Sequence, residues 1–102
     1  MLNALKQLLG LGPKVDFAQM MDNGAVIIDV RTPGEFKSGH IPGSKNIPLQ
    51  NLAAQISKLD KKKPIITCCA SGMRSGSAKA MLKAKGFEVY NGGSWMGLQH
   101  KL

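Results

Sequence analysis

The segment Cys69-Ala70-Ser71-Gly72-Met73-Arg74-Ser75 constrains the fold more than any other part of the chain. It follows an apolar run, Ile65 to Cys68, that reads as a strand. It precedes a helical stretch from Ser75 to Lys85, with Ala78, Met81 and Leu82 on the inner side and Gly86 as C-cap. A strand, a short loop with a glycine, and a helix turn several backbone N–H groups toward one point beside the positive end of a helix dipole. That point suits an anion, and a thiol placed there ionises more readily. Cys69 is therefore a candidate nucleophile. The backbone of Ala70, Ser71, Gly72, Met73, Arg74 and Ser75 is a candidate cradle for a small anionic substrate or a charged adduct. Gly72 permits a positive φ or a close backbone approach, and Ser75 is expected to cap the helix.

The rest of the chain repeats this alternation. Lys14 to Asp16 reads as a short strand, with Asp16 capping a helix over Phe17 to Asp22 that Asn23-Gly24 stops. Ala25 to Val30 is a continuous apolar run holding one acid, the pattern of a buried parallel strand. Thr32-Pro33-Gly34 is expected to turn the chain, Glu35 to Ser38 to form one helical turn, and Gly39 to Gly43 a loop. Ser44 to Ile47 reads as a strand. Leu49 to Leu59 has apolar residues at helical spacing, Phe87 to Tyr90 is a last strand, Gly92-Gly93 a turn, and Ser94 to Gln99 a last helix. Strands alternating with helices at this spacing predict one small α/β domain with a mostly parallel sheet and helices on both faces. Ligands of such sheets lie beyond the carboxyl ends of strands, which brings Asp29 to Arg31 and Cys69 to one rim.

Composition narrows the partners. The formal net charge is +8, but twelve of the fourteen basic residues are lysine, and only Arg31 and Arg74 are arginine. The lysines read as a solvated surface that steers anions. With one Trp, one Tyr and three Phe, and no basic helical stripe, a nucleic-acid partner is not expected. Cys68 and Cys69 are adjacent and close no useful loop, so they predict free thiols in a reducing, cytoplasmic setting rather than a disulfide scaffold. His40 and His100 are far apart and no spaced Cys/His cluster exists, so no metal site is expected. Leucines at 2, 5, 8 and 9 make residues 1–12 a short amphipathic segment, too short to span a bilayer and unlike a signal peptide, ahead of a domain over 13–102.

Taken together, Asp29-Val30-Arg31, Glu35-Phe36, Gly39-His40-Ile41-Pro42-Gly43-Ser44, Asn46-Ile47-Pro48, the loop from Cys69 to Arg74, Gly86-Phe87 and Asn91-Gly92-Gly93 resemble the rhodanese family of sulfurtransferases in its single-domain form. The resemblance covers roughly residues 14 to 96. It implies a rhodanese-like five-stranded, mostly parallel sheet flanked by helices, with the cysteine at the head of the loop, Cys69 here, as nucleophile. It also implies an activity: a sulfane sulfur is taken from thiosulfate or a similar donor and passed, through a persulfide, to cyanide or a thiol. The acceptor thiol is small or carried by a protein, as in a sulfur relay. No metal or organic cofactor is implied.

Supporting roles fall to Asp29, Arg31, Glu35 and His40. An acid at a strand end caps the next turn, Arg31 pairs with Glu35, and His40 tethers its loop by hydrogen bonds. Arg74 either binds the sulfonate end of thiosulfate or braces the loop against Asp29 or Glu35; the pocket role is preferred. Trp95 reads as a packing residue. The adjacent cysteines leave a question of register. Counted from Cys68, five residues precede Arg74, which is the spacing of a phosphatase or arsenate reductase loop. Counted from Cys69, four do. The Asp29 and His40 motifs, and the absence of an acid in the loop to serve a leaving group, favour Cys69.

Overall fold

The computed structural model describes residues 15–102. The expected amphipathic segment at residues 1–12 lies outside them. Helix α1 spans Phe17–Asp22, followed by β1 (Val26–Asp29), α2 (Pro33–Ser38), β2 (Lys45–Asn46) and α3 (Leu49–Gln55). A 3-10 turn over Ile56–Lys58 leads to β3 (Ile65–Cys69), α4 (Met73–Ala84), β4 (Val89–Ser94) and α5 (Trp95–Gln99). The strands form one sheet in the order β2-β1-β3-β4, every pairing parallel.

The sheet has four strands among the described residues, not the five expected. Val15 and Asp16 lie outside it, and Lys14 is not among the described residues. The Asp16 carboxylate accepts the Gln19 N–H at 3.0 Å, which commits the chain to a helix cap there rather than to an edge strand.

Alternation along the strands builds two cores. Ile28, Val30, Ile65, Cys69 and Val89 face Leu52, Ala78 and Leu82 of α3 and α4. Ile27, Ile66 and Cys68 face Phe17 of α1 and Leu98 of α5. Each face of a sheet takes every second residue, so the neighbours Cys68 and Cys69 lie on opposite sides. Strand order reverses between β1 and β3, and the carboxyl ends of these two strands form the crevice where such folds bind ligands.

Three local expectations change. Thr32-Pro33-Gly34 is not a separate turn: α2 begins at Pro33, because Thr32 and Glu35 form a reciprocal capping box and proline suits the first helical position. Gly92-Gly93 is not a turn but part of β4. Thr67 pairs with Asn91 and Cys69 with Ser94, so three residues of β4 span what two of β3 span. Gly93 takes φ +82° in this bulge, and a Cβ at Gly92 would meet Leu98, Ile66 and the Thr67 carbonyl at 2.8–3.0 Å. Finally, α4 starts at Met73, with Gly72 at φ +104° in the N-cap position, so Ser75 sits in the first turn and does not cap it. The left-handed backbone at Gly72 supplies the reversal that a serine cap would have marked.

Candidate active site

Cys69 is the last residue of β3, fully buried, and its Sγ points into the turn that follows. The Gly72 N–H donates to Sγ at 2.9 Å and the Ser75 N–H at 3.4 Å. The thiol in turn donates to Ser75 Oγ at 3.4 Å. Burial pushes the Cys69 thiol up, but the Ser75 hydroxyl, where it turns to the sulfur, and the N–H groups of Ser75, Gly72 and Ser71 outweigh it. The net result lies below the usual thiol value. Backbone N–H groups of Ser71, Gly72 and Ser75 thus converge on Cys69. Ala70, Ser71 and Met73 are exposed on the turn, Met73 at 81%, and of the three the Ser71 N–H acts on Cys69.

Cys68, one residue earlier, lies against the buried Asp29–Arg31 pair. Burial first, then the Asp29 carboxylate, push its thiol up to about 12. Arg31 donates to Asp29 through Nη2 at 2.7 Å and Nε at 3.0 Å, and the Arg31 N–H to Asp29 Oδ1 at 3.0 Å. Its guanidinium also reaches the carbonyls of Glu35 and Gly39 at 3.2 and 2.6 Å and lies 4.8 Å over the Trp95 ring. Arg31 therefore pairs with Asp29 and touches only the main chain of Glu35, contrary to the expected Arg31–Glu35 ion pair. The aspartate is two residues away and equally buried, whereas the Glu35 carboxylate faces the loop. The His40 Nδ1–H donates to the Phe36 carbonyl at 2.7 Å, and its ring stacks on Phe36 at 3.7 Å.

The Glu35 carboxylate accepts both Nη groups of Arg74, at 2.7 and 2.9 Å. The Arg74 guanidinium, the Thr32 backbone and the Thr32 hydroxyl hold Glu35 down to about 2, well below its usual 4.5. The bracing geometry for Arg74 is thus the one observed. Its side chain also lines a groove of about 320 Å³ with Val30, Thr32, Pro48, Leu49 and Gln50. Among the described residues, no three His, Cys, Asp or Glu side chains converge on a point that could hold a metal.

The chain from residue 14 to 99 matches the family model described as a rhodanese-like domain. This chain belongs to the rhodanese-like domain family. It is 40% identical over 74 residues to the thiosulfate sulfurtransferase GlpE of Ectopseudomonas mendocina, covering 72% of this chain and 68% of that one. It is 43% identical over 68 residues to the uncharacterized protein YqhL of Bacillus subtilis, covering 66% of this chain; the match spans about half, 54%, of YqhL. Reduced Bacillus anthracis CoADR-RHD superposes with a TM-score of 0.74 at 37% identity, over 84% of this chain and 15% of that one. The rhodanese fold and its sulfurtransferase kinship thus agree with the resemblance read from the sequence.

Two polar residues of this rhodanese domain's site, Thr67 and Asn91, were given no site role from the sequence, although Asn91 stands in the Asn91-Gly92-Gly93 motif. Thr67 Oγ1 donates to the Ser75 carbonyl at 2.9 Å, tying the strand to the helix start. Asn91 of β4 spans the turn: its amide donates to the Gly72 carbonyl at 3.1 Å, and its oxygen accepts from Ser75 Oγ at 2.6 Å and the Gly93 N–H at 2.9 Å. The available signal was a lone polar residue in an apolar strand, followed by two glycines.

Proposed function

We propose that this rhodanese domain is a sulfurtransferase that carries sulfane sulfur as a persulfide on Cys69. The Cys69 thiolate attacks the outer sulfur of thiosulfate or a similar donor. A new S–S bond forms at Sγ, the donor's S–S bond breaks, and its electron pair leaves with sulfite. Cyanide or an acceptor thiolate then attacks the terminal sulfur and takes it away, and the electron pair of the persulfide bond returns to Cys69. Neither step needs a general base on the substrate, so the site's task is to ionise the thiol and hold charge.

The observation that carries this reading is the 2.9 Å bond from the Gly72 N–H to Sγ, in a turn whose other donors also reach Cys69. The backbone of Ala70 to Ser75 is the holder of the persulfide's terminal sulfur. Arg74, once released from Glu35, is the cation for a sulfonate. Asp29, Arg31, Glu35 and His40 act as supports of the rim. The placement of Cys68 away from these donors, with its thiol pushed up to about 12, weighs against a phosphatase or arsenate reductase built on it. Two free thiols and the formal net charge of +8 support a reducing, cytoplasmic setting and an anionic donor or an acidic acceptor surface, including a sulfur-relay partner. Among the described residues, no helix is long and apolar enough to cross a membrane.

The experiment is steady-state transfer from thiosulfate to cyanide by the wild type, Cys69→Ser and Cys68→Ser. Activity that survives Cys69→Ser and vanishes in Cys68→Ser overturns the assignment.

A further inference from the structure

Three atoms stand in sequence behind the thiol: Cys69 Sγ, Ser75 Oγ at 3.4 Å, and Asn91 Oδ1 at 2.6 Å from that hydroxyl. A serine hydroxyl has one hydrogen to give and two lone pairs to offer. Which way it points decides whether Ser75 favours the thiol or the thiolate of its neighbour.

The direction follows from Asn91. Its amide is fixed by two backbone groups of opposite kind, the Gly72 carbonyl, which needs a donor, and the Gly93 N–H, which needs an acceptor. Turning the amide over would set NH₂ against N–H and oxygen against carbonyl, so Oδ1 is the atom that faces Ser75. An amide oxygen carries no hydrogen, and Ser75 must be the donor in the 2.6 Å bond. Its lone pairs then face Sγ, where they accept the thiol hydrogen.

We propose that Asn91 is a positioning residue that acts on Cys69 through Ser75: it draws the Ser75 hydroxyl hydrogen away from Sγ and so decides which way the hydrogen bond between them runs. The inference rests on reading Cys69 as the reactive group, but not on sulfur transfer. On ionisation the thiol loses its bond to Ser75, and the hydroxyl serves the thiolate only by leaving Asn91. The backbone N–H groups of Gly72 and Ser75 stabilise the thiolate in either case. A thiolate that is stabilised less is the stronger nucleophile once formed, so Asn91 balances ease of ionisation against reactivity. The other charged or titratable groups around this point are Arg74 of α4, paired with Glu35 of α2, Asp29 of β1, Arg31 just beyond that strand, and Cys68 of β3. Strand β4 carries no charged residue between Val89 and Ser94.

The test is the pH dependence of Cys69 alkylation by iodoacetamide in the full chain, with the modified cysteine located by peptide fragmentation. It reads ionisation of the thiol whether or not the protein transfers sulfur. Asn91→Ala should lower the midpoint by about half a pH unit or more, because the freed hydroxyl turns to the thiolate. Asn91→Asp keeps an oxygen for Ser75 and Gly93 and should not lower it. In a Ser75→Ala background, Asn91→Ala should leave the midpoint where it is. An unchanged or raised midpoint in Asn91→Ala overturns the proposal, as does an equal fall in the Ser75→Ala background, which a loosened turn alone would give. Should Asn91→Ala not fold, Ser75→Ala alone decides: its midpoint stays or falls if the hydroxyl faces Asn91, and rises if it serves the thiolate.

Discussion

Cys68 and Cys69 differ by one position in the chain and by almost everything else. Both are fully buried thiols on the same strand. Cys69 ends the strand on the α4 side, where the turn directs N–H groups at it and its thiol lies below the ordinary value. Cys68 points to the α1 and α5 side, against a carboxylate, and is pushed up to about 12. Burial raises both thiols; the partners that the pleat offers each push Cys68 further up and bring Cys69 down. One face of the strand end directs N–H groups at a thiol, and the other holds a buried ion pair.

The largest effect expected from that difference is on turnover. Cys69→Ser should reduce transfer from thiosulfate to cyanide by about a thousandfold or more, while Cys68→Ser stays near wild type. Comparable losses in both variants would break the contrast. On the Cys68 side the expected effect is on stability. Arg31→Leu leaves Asp29, fully buried, without its cation, and should cost about 3–5 kcal/mol in urea unfolding.

Gly92→Ala tests the packing of that same face. Its Cβ would press on Leu98 and Ile66 side chains and on the Thr67 carbonyl, at a cost of about 1–3 kcal/mol. The smallest effect belongs to the exposed tether on the Cys69 side. Glu35 has a depressed carboxyl, so its pairing with Arg74 contributes above the ordinary value of 4.5 and is lost as pH falls toward about 2. A wild-type stability advantage over Glu35→Gln should therefore be constant above pH 4.5 and close toward pH 2.

The strand, turn and helix around Cys69 were legible because their signals are local: an apolar run, a glycine and a helical apolar stripe within one stretch of chain. The alternation of these units was enough for an α/β domain with a parallel sheet. The tethers were less legible because their partners are distant. Arg74 reaches Glu35 across 39 residues, and Asn91 reaches Gly72 across 19, and nothing local selects Glu35 over Asp29 for Arg74. Ser75 read as a helix cap because serine favours that position, but Gly72 in the left-handed region starts the helix earlier and leaves Ser75 free to face Cys69. Gly92-Gly93 read as a turn because a bulge inside a strand uses the same residue.

The most direct measurement of the central claim is the intact mass of the protein after thiosulfate, with both cysteine variants in parallel. Wild type and Cys68→Ser should each gain about 32 Da, one sulfur, that a thiol reductant removes, and Cys69→Ser should gain nothing. An adduct that persists in Cys69→Ser and is absent from Cys68→Ser would contradict the account.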